Sequence, residues 1–370
     1  MNPLNVDEYE QLARERMDRA AYDYYAGAAG DEQTLAENRR AFDRLKLRPR
    51  VLVDVSAIDL RTTVAGHAVA FPVLLAPTAF NRLADPQGEM AAARAAGAAG
   101  TLMIASTLST CSLEEIAAAA TGPLWFQLYV YKDRGLTREL VARAEAAGYG
   151  AIVLTVDTPL LGRRFRDVRN GFVLPEGLSI ANFAAATMDA SRWGKHSSFS
   201  AYVHDLFDAT LSWEAVEWLR SQTRLPLILK GVMTAEDASL AVGAGVQGIV
   251  VSNHGGRQLD GVSASIDVLA EVTDAVAGRI EVLMDGGVRR GSDILKALAL
   301  GARAVLIGRP YLWALAAAGE TGVSDVLSLL RDELRLAMAL AGRPTIASID
   351  RTVLNAPSDA GLGNHPGHHP

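Results

Sequence analysis

Residues 226–253 read PLILKGVMTAEDASLAVGAGVQGIVVSN. Two short apolar runs, PLILKG (226–231) and GIVVSN (248–253), flank an alanine-rich stretch of helical character. Near-continuous Val, Ile and Leu suits a strand covered on both faces, as in parallel sheets. Thr234 followed by Asp237 has the spacing of an N-terminal capping box, and Gly243 and Gly245 are available as stops. The unit is therefore strand–helix–strand. It also holds a decoy, GAGVQG (243–248), which satisfies G-x-G-x-x-G. A dinucleotide fingerprint runs from strand into helix, so that the helix N-terminus faces the pyrophosphate. Here the order is reversed, and the motif reads as a connecting loop with no bearing on NAD.

Working outward, six more runs share this character: VLLAP (73–77), TLMIAS (101–106), LWFQLYV (124–130), AIVLTVD (151–157), EVLMDG (281–286) and AVLIGR (304–309). GEMAAARAAGAAG (88–100) and GSDILKALALG (291–301) read as helices between them, with Gly301 as a stop. Eight strands alternating with helices over about 250 residues predict an α/β chain folded as a (β/α)8 TIM barrel. A doubly wound sheet is the structural alternative. A single domain over 1–370 is expected, with a helical cover over 1–70, led by EYEQLARERMDRAAYDYYAG. The one long interval, 158–225 after the fourth strand, is expected to be a lid or mobile loop. SDVLSLLRDELRLAMALAG (324–342) is expected to be a helix capped at Ser324, with Val326, Leu330 and Leu334 forming its apolar stripe. The tail 356–370, ending GNHPGHHP, reads as disordered.

Composition narrows the partners. The 370 residues are 49% hydrophobic and 21% charged, with a net charge of −6. No overall positive field favours nucleic acid or an anionic membrane. The single Cys111 excludes an intramolecular disulfide and fits a reducing compartment. The opening MNPLNVDEYEQLARERM lacks the apolar core of a secretory leader, and no run is long enough to span a bilayer. A cytoplasmic protein is expected. His67, His196, His204 and His254 lack metal-ligand spacings, so no metal is expected.

In a barrel the active site lies where the strands end at their C-termini. Those ends carry Thr78, Ser106, Gln127 and Tyr129, Thr155 and Asp157, Lys230, Ser252 and His254, Asp285 and Arg309. Singly, a Thr or Ser there commonly caps a helix, and a lone His is commonly structural. Their joint placement on one rim points to chemistry. DGGVRRGSD (285–293) and GRP (308–310) are glycine-rich turns after the last two strands, each with an arginine. Backbone N–H groups, Arg289 and Arg309 would there hold a phosphate of a cofactor or substrate. A neutral His254 would take a proton, with Asp157 stabilising the imidazolium. Arg257 and Arg164, with Tyr24 and Tyr129, describe a site for a small carboxylic acid bearing a hydroxyl.

YDYYAGAAGDEQTLAENRRAFDR (22–44), APTA (76–79), FQLYVYKDR (126–134), LTVDTPLLGRR (154–164), LKGV (229–232), VSNHGGRQLD (251–260), DGGVRRGSD and IGRP (307–310) carry a resemblance. Together they resemble the FMN-dependent (S)-2-hydroxy acid oxidases and dehydrogenases, among them glycolate, lactate and mandelate oxidases, over residues 5 to 350 or so. The resemblance implies FMN on the barrel rim. Pro77, Thr78 and Ala79 would line the flavin, Ser106, Gln127 and Thr155 would bond its ring, and Lys230 would stabilise negative charge on it. Ser252, Asp285, Gly286, Gly287, Arg289, Gly308 and Arg309 would hold the ribityl and phosphate. Tyr24, Arg164 and Arg257 would bind the substrate carboxylate and Tyr129 its hydroxyl, with His254 as base and Asp157 as its partner.

The resemblance also implies a homotetramer. Leu108 stands where plant glycolate oxidases carry a bulky Trp, so a larger substrate of the lactate or mandelate kind is expected. Ala79 matches the alanine of family oxidases, which favours O2 as acceptor and hydrogen peroxide as product. The alternative is a dehydrogenase passing electrons to a quinone or a protein. The 158–225 interval lacks a basic, strongly apolar insert, no haem domain precedes the barrel, and the C-terminus carries no peroxisomal signal. All three fit the expectation of a soluble oxidase.

Overall fold

Each of the eight apolar runs forms a strand, and the strands pair in chain order into one closed parallel barrel. The structure, a computed structural model, describes residues 3–183 and 206–355. The tail 356–370, the stretch 184–205 of the long interval, and with it His196 and His204, lie outside the described residues. A short antiparallel hairpin, β1 (Thr62–Val64) and β2 (His67–Val69), comes first. The barrel follows as β3 (Val73–Leu75), β4 (Met103–Ser106), β5 (Leu124–Leu128), β6 (Ile152–Thr155), β7 (Leu227–Val232), β8 (Gly248–Val251), β9 (Glu281–Asp285) and β10 (Ala304–Ile307). Val305 of β10 is paired with both Met284 of β9 and Val73 of β3, which closes the ring. A doubly wound sheet has two open edges and is thereby excluded.

Burial on both faces explains why the runs are continuous. Leu74, Ile104, Trp125, Val153, Ile228, Val250, Leu283 and Leu306 form one cluster, the barrel interior. The alternate residues, among them Leu75, Phe126, Leu154, Leu229, Ile249 and Ile307, belong to a second cluster shared with the surrounding helices. The side-chain period of two sorts each strand between these cores. Val64 and Val69 of the hairpin join the interior cluster, so β1–β2 plugs one end of the barrel. That hairpin breaks the purely helical character expected before residue 70. His67 packs against Trp125, whose Nε1 donates to His67 Nδ1 at 3.4 Å, which makes this histidine structural.

The helices follow their sequence signals with one exception. Thr234 caps the helix Ala235–Gly243 by accepting the Asp237 N–H, and GAGVQG connects that helix to β8 as a loop. Ser324 is not a cap. Helix Arg309–Leu340 breaks at Ala318 and Gly319 (φ +60°) and is already helical again when it reaches Ser324, whose amide has no need of a capping partner. The stripe Val326, Leu330 and Leu334 is fully buried. Within 158–225 the described residues include helices Phe165–Asn170 and Trp213–Gln222. No helix among the described residues is long and apolar enough to cross a membrane.

Helices Val6–Arg16, Arg19–Ala26 and Gln33–Arg44 precede the barrel. The last has Glu32 at its N-terminus in the left-handed region, with no capping bond from its own side chain. Asp260, in the loop after β8, supplies the cap instead, accepting from Asp31 N at 3.0 Å and Thr34 N at 2.8 Å. Asn38 of the same helix exchanges two amide bonds with Asn253, at 2.9 and 2.8 Å. The pre-barrel helix is thus stitched to the loop that carries His254. Asp260→Ala should cost about 1 kcal/mol of stability, the usual value of a lost N-cap, read as a lowered denaturation midpoint.

Candidate active site

The period that fills the barrel with apolar side chains also delivers the polar ones. Continuing the inward register by two residues leads from Ile104 to Ser106, Trp125 to Gln127, Val153 to Thr155, Ile228 to Lys230, Val250 to Ser252 and Leu283 to Asp285. All six are buried, at 7% exposure or less. They satisfy one another around the rim, as buried polar groups must. Ser106 Oγ donates to Gln127 Oε1 at 3.2 Å, and Gln127 Nε2 donates to Thr155 Oγ1 at 3.0 Å. Opposite them, Lys230 Nζ donates to Ser252 Oγ at 3.0 Å and pairs with Asp285 at 3.1 Å. The charges of Asp285 and Asp157 raise the Lys230 ammonium above its ordinary value despite its burial, so it is a permanent cation.

Above this layer a cleft of about 1040 Å³, counted to its open mouth, is lined by Pro77, Thr78, Ala79, Leu108 and Tyr129. Lys230, His254, Arg257 and Arg164 line it as well, with Tyr24 on helix Arg19–Ala26. The turns after β9 and β10 bring Asp285, Gly286, Gly287, Arg289, Gly308 and Arg309 to the same cleft. Gln127, Thr155, Ser252 and Asp157 do not line it; Gln127, Ser252 and Asp157 bond side chains that do, and Thr155 bonds Gln127.

The VSNHGG stretch now has a geometric explanation. His254, Gly255 and Gly256 all adopt positive φ, of 58°, 65° and 77°. A Cβ at Gly256 would sit 2.8 Å from Leu35 N, so the turn has no room for a side chain there. His254 itself is in a left-handed conformation that costs free energy outside glycine and is held by its surroundings. Its amide donates to Ser252 Oγ at 3.1 Å, and its Nδ1 lies 2.9 Å from Asp157 Oδ1. With Nδ1–H on the carboxylate, Nε2 carries the lone pair on the ring edge left to the cleft. Desolvation pulls the imidazole below its ordinary value, helped by Lys230 and Arg164 and opposed by Asp157.

The guanidinium groups are organised by the N-terminal helices. Arg257 Nη1 donates to the carbonyls of Tyr24 (2.6 Å) and Gly27 (3.0 Å), and its head lies 4.9 Å from the Tyr24 ring centre. Arg309 donates to three carbonyls, of Tyr25, Gly27 and Gly255. Arg289 donates from Nη1 to Val288 O, while its buried Nε has no hydrogen-bond partner. Burial pulls Arg164 and Arg289 down to about 10, each with a second arginine as the next cause; both remain cations at neutral pH. Such values describe buried cations short of anions.

This supplies a test of fit for a phosphate-bearing cofactor. The orphaned Nε of Arg289 and Oδ1 of Asp285 border the same turn. Gly286 and Gly287 there have φ of 98° and 83°, and a Cβ on Gly287 would lie 1.9 Å from Asn38 O. Backbone N–H groups, an unpaired guanidinium and a buried lysine next to a polar ladder suit FMN: phosphate at one end, ribityl hydroxyls between, ring over the ladder.

Several cleft residues were not singled out by the strand-end reading. Phe207 stacks on Tyr129 at 4.5 Å but lies within the long interval 158–225. Leu161 and Thr158 sit in the loop after β6, beyond the reach of strand periodicity. Phe172, which stacks on Tyr24 at 4.3 Å, was likewise unmarked. Among the described residues no group of three His, Cys, Asp or Glu side chains converges on a metal position.

Comparison with known proteins gives the family. The family model for FMN-dependent dehydrogenases matches residues 13–356. Glycolate oxidase 3 of Arabidopsis thaliana is 53% identical over 352 residues, covering 95% of this chain and 96% of that protein. L-lactate oxidase of a Nostoc strain is 54% identical over 359 residues, covering 96% and 98%. A solved mandelate oxidase with (S)-4-hydroxymandelic acid superposes with a TM-score of 0.90 at 47% identity, covering 95% and 98%. The chain belongs to the FMN-dependent 2-hydroxy acid oxidase family. It is an FMN-dependent enzyme.

One consequence of the site's electrostatics is measurable without substrate. The His254 imidazole should titrate with a midpoint below the ordinary 6.5 or so of a free histidine, read by NMR on histidine-labelled protein.

Proposed function

We propose that this enzyme oxidises (S)-2-hydroxy acids with side chains larger than the hydrogen of glycolate to 2-oxo acids. Dioxygen accepts the two electrons and leaves as hydrogen peroxide. The observation that carries the reading is a single cleft lined by two arginines, two tyrosines and an imidazole whose Nδ1 is held on Asp157. Arg257 and Arg164 supply a forked, fixed positive charge for the carboxylate, with Tyr24 beside them. Tyr129 faces the hydroxyl, and burial keeps its phenol protonated and able to donate. Nε2 of His254 takes a proton, and Asp157 stabilises the imidazolium that results. Bound FMN supplies the two-electron acceptor. Lys230 and Arg289 hold positive charge where the cofactor's anionic parts would lie.

Overall identity does not separate substrates, since a glycolate oxidase and a lactate oxidase match almost equally well. The side chain at 108 does bear on the choice. Leu108 lines the cleft, 4% exposed, and leaves more room than an indole would. Ala79, which lines the same cleft, is the residue that supports the oxidase reading.

His254→Asn should retain FMN and lose flavin reduction by several orders of magnitude when mixed anaerobically with substrate. Near-normal reduction would refute the assignment of the base. With glycolate compared against lactate and mandelate, the last two in both (S) and (R) forms, the (S) forms of the larger acids should bleach the flavin fastest. Oxygen uptake should proceed without an added acceptor. Leu108→Trp should shift kcat/KM towards glycolate by about tenfold or more, the scale of small changes in pocket volume.

A further inference from the structure

Asp157 is fixed from three directions. Its carbonyl accepts Gln258 Nε2 at 2.7 Å. Gly231, at a slip in the ladder between β7 and β8, presses against its side chain: a Cβ there would lie 2.6 Å from Asp157 Cβ. These contacts fix the backbone and one wall, but not the rotation of the carboxylate. Thr158, the next residue, reaches that group. It is 8% exposed, and its Oγ1 lies 3.1 Å from Asp157 Oδ1. This is the same oxygen that holds His254 Nδ1 at 2.9 Å. Oδ2 is buried with no hydrogen-bond partner. Both donors therefore converge on one oxygen while its twin receives none.

We infer that Thr158 is a positioning residue for the His254–Asp157 pair. Its hydroxyl holds the carboxylate in one rotation and shares the charge on Oδ1, so that the imidazole remains a weaker base than an unshared carboxylate would make it. A donor on a carboxylate stabilises the anion and lowers its affinity for a second proton. The imidazolium of His254 is a competing claimant on that oxygen, and it is stabilised less while Thr158 is there. The inference rests on the reading of His254 as the base of the proposed reaction.

The other titratable groups at the pair or in the cleft beside it come from every side. Arg164 comes from the loop after β6, Lys230 from β7 with its partner Asp285 on β9, Arg257 from the loop of His254 itself, Tyr129 from beyond β5, and Tyr24 from the N-terminal helix. Substituting Thr158 leaves all of these charges in place, so a shift on substitution reports on the shared oxygen.

The test is Thr158→Val, which keeps shape and removes the donor, against Thr158→Ser, which keeps the hydroxyl. Two readouts apply: the acid limb of the pH profile of anaerobic flavin reduction, and the His254 midpoint from NMR of labelled protein, assigned by its loss in His254→Asn. In the Val variant both should rise by about half a unit to one unit, the net worth of one ordinary hydrogen bond, since the donor acts on the imidazole only through the shared oxygen. The acid limb rises because neutral imidazole is the proton-accepting form and now predominates only above a higher pH. The Ser variant should keep the wild-type values. A Val variant whose midpoint is unmoved or lowered overturns the inference, whatever happens to its overall rate or thermal midpoint. Thr158→Ala gives the same reading if the Val variant does not fold. The NMR titration needs no turnover, so a wild-type protein inert towards every hydroxy acid would sink the proposed function while the shared oxygen is still judged on its own.

Discussion

Closure of the barrel is the constraint from which the site follows. Eight strands locked in one register point alternate side chains at a common axis, so neighbouring strands must agree on what they place at each height. In the middle they agree on Leu, Ile, Val and Trp125. At the C-terminal ends they agree on hydrogen-bonding groups, and Ser106, Gln127, Thr155, Lys230, Ser252 and Asp285 become mutual partners instead of six separate desolvation problems. A slip of one residue in any strand would turn its polar member outward among the helices and set an apolar residue in the ladder.

The rim is electrostatically incomplete without ligands. Lys230 is balanced by Asp285, and His254 by Asp157. Arg164 and Arg289 are buried cations and Arg309 is a partly buried one; their hydrogen bonds go to backbone carbonyls, although Arg164 also has Asp167 3.8 Å away. A carbonyl dipole compensates a guanidinium less than an anion does. The guanidinium groups at the β9–β10 turns and beside Tyr24 are thereby left with carbonyl partners that neutralise no charge.

The N-terminal helices are part of this machinery. The carbonyls of Tyr24, Tyr25 and Gly27 fix Arg257 and Arg309, and helix Gln33–Arg44 backs the histidine turn through Asn38 and Leu35. The strained backbone of His254 is supported from outside the barrel, by residues more than 200 positions away in the chain.

Periodicity and strand-end chemistry were enough to read the barrel, the polar rim and the glycine-rich turns that reach the cleft, because each is written within a few consecutive residues. Polarity at the end of an apolar run is a local fact, and so is a Gly-Gly pair followed by arginine. FMN itself was legible only through the family's motifs; spacing alone reached no further than a phosphate. What the tertiary structure decided is of another kind. It decided that a hairpin seals the barrel, that Ser324 lies inside a helix that starts upstream, that Asp260 caps a distant helix, and that Thr158 and His254 share one carboxylate oxygen. Each depends on which distant groups come within bonding distance, and no local pattern of residues encodes a distance.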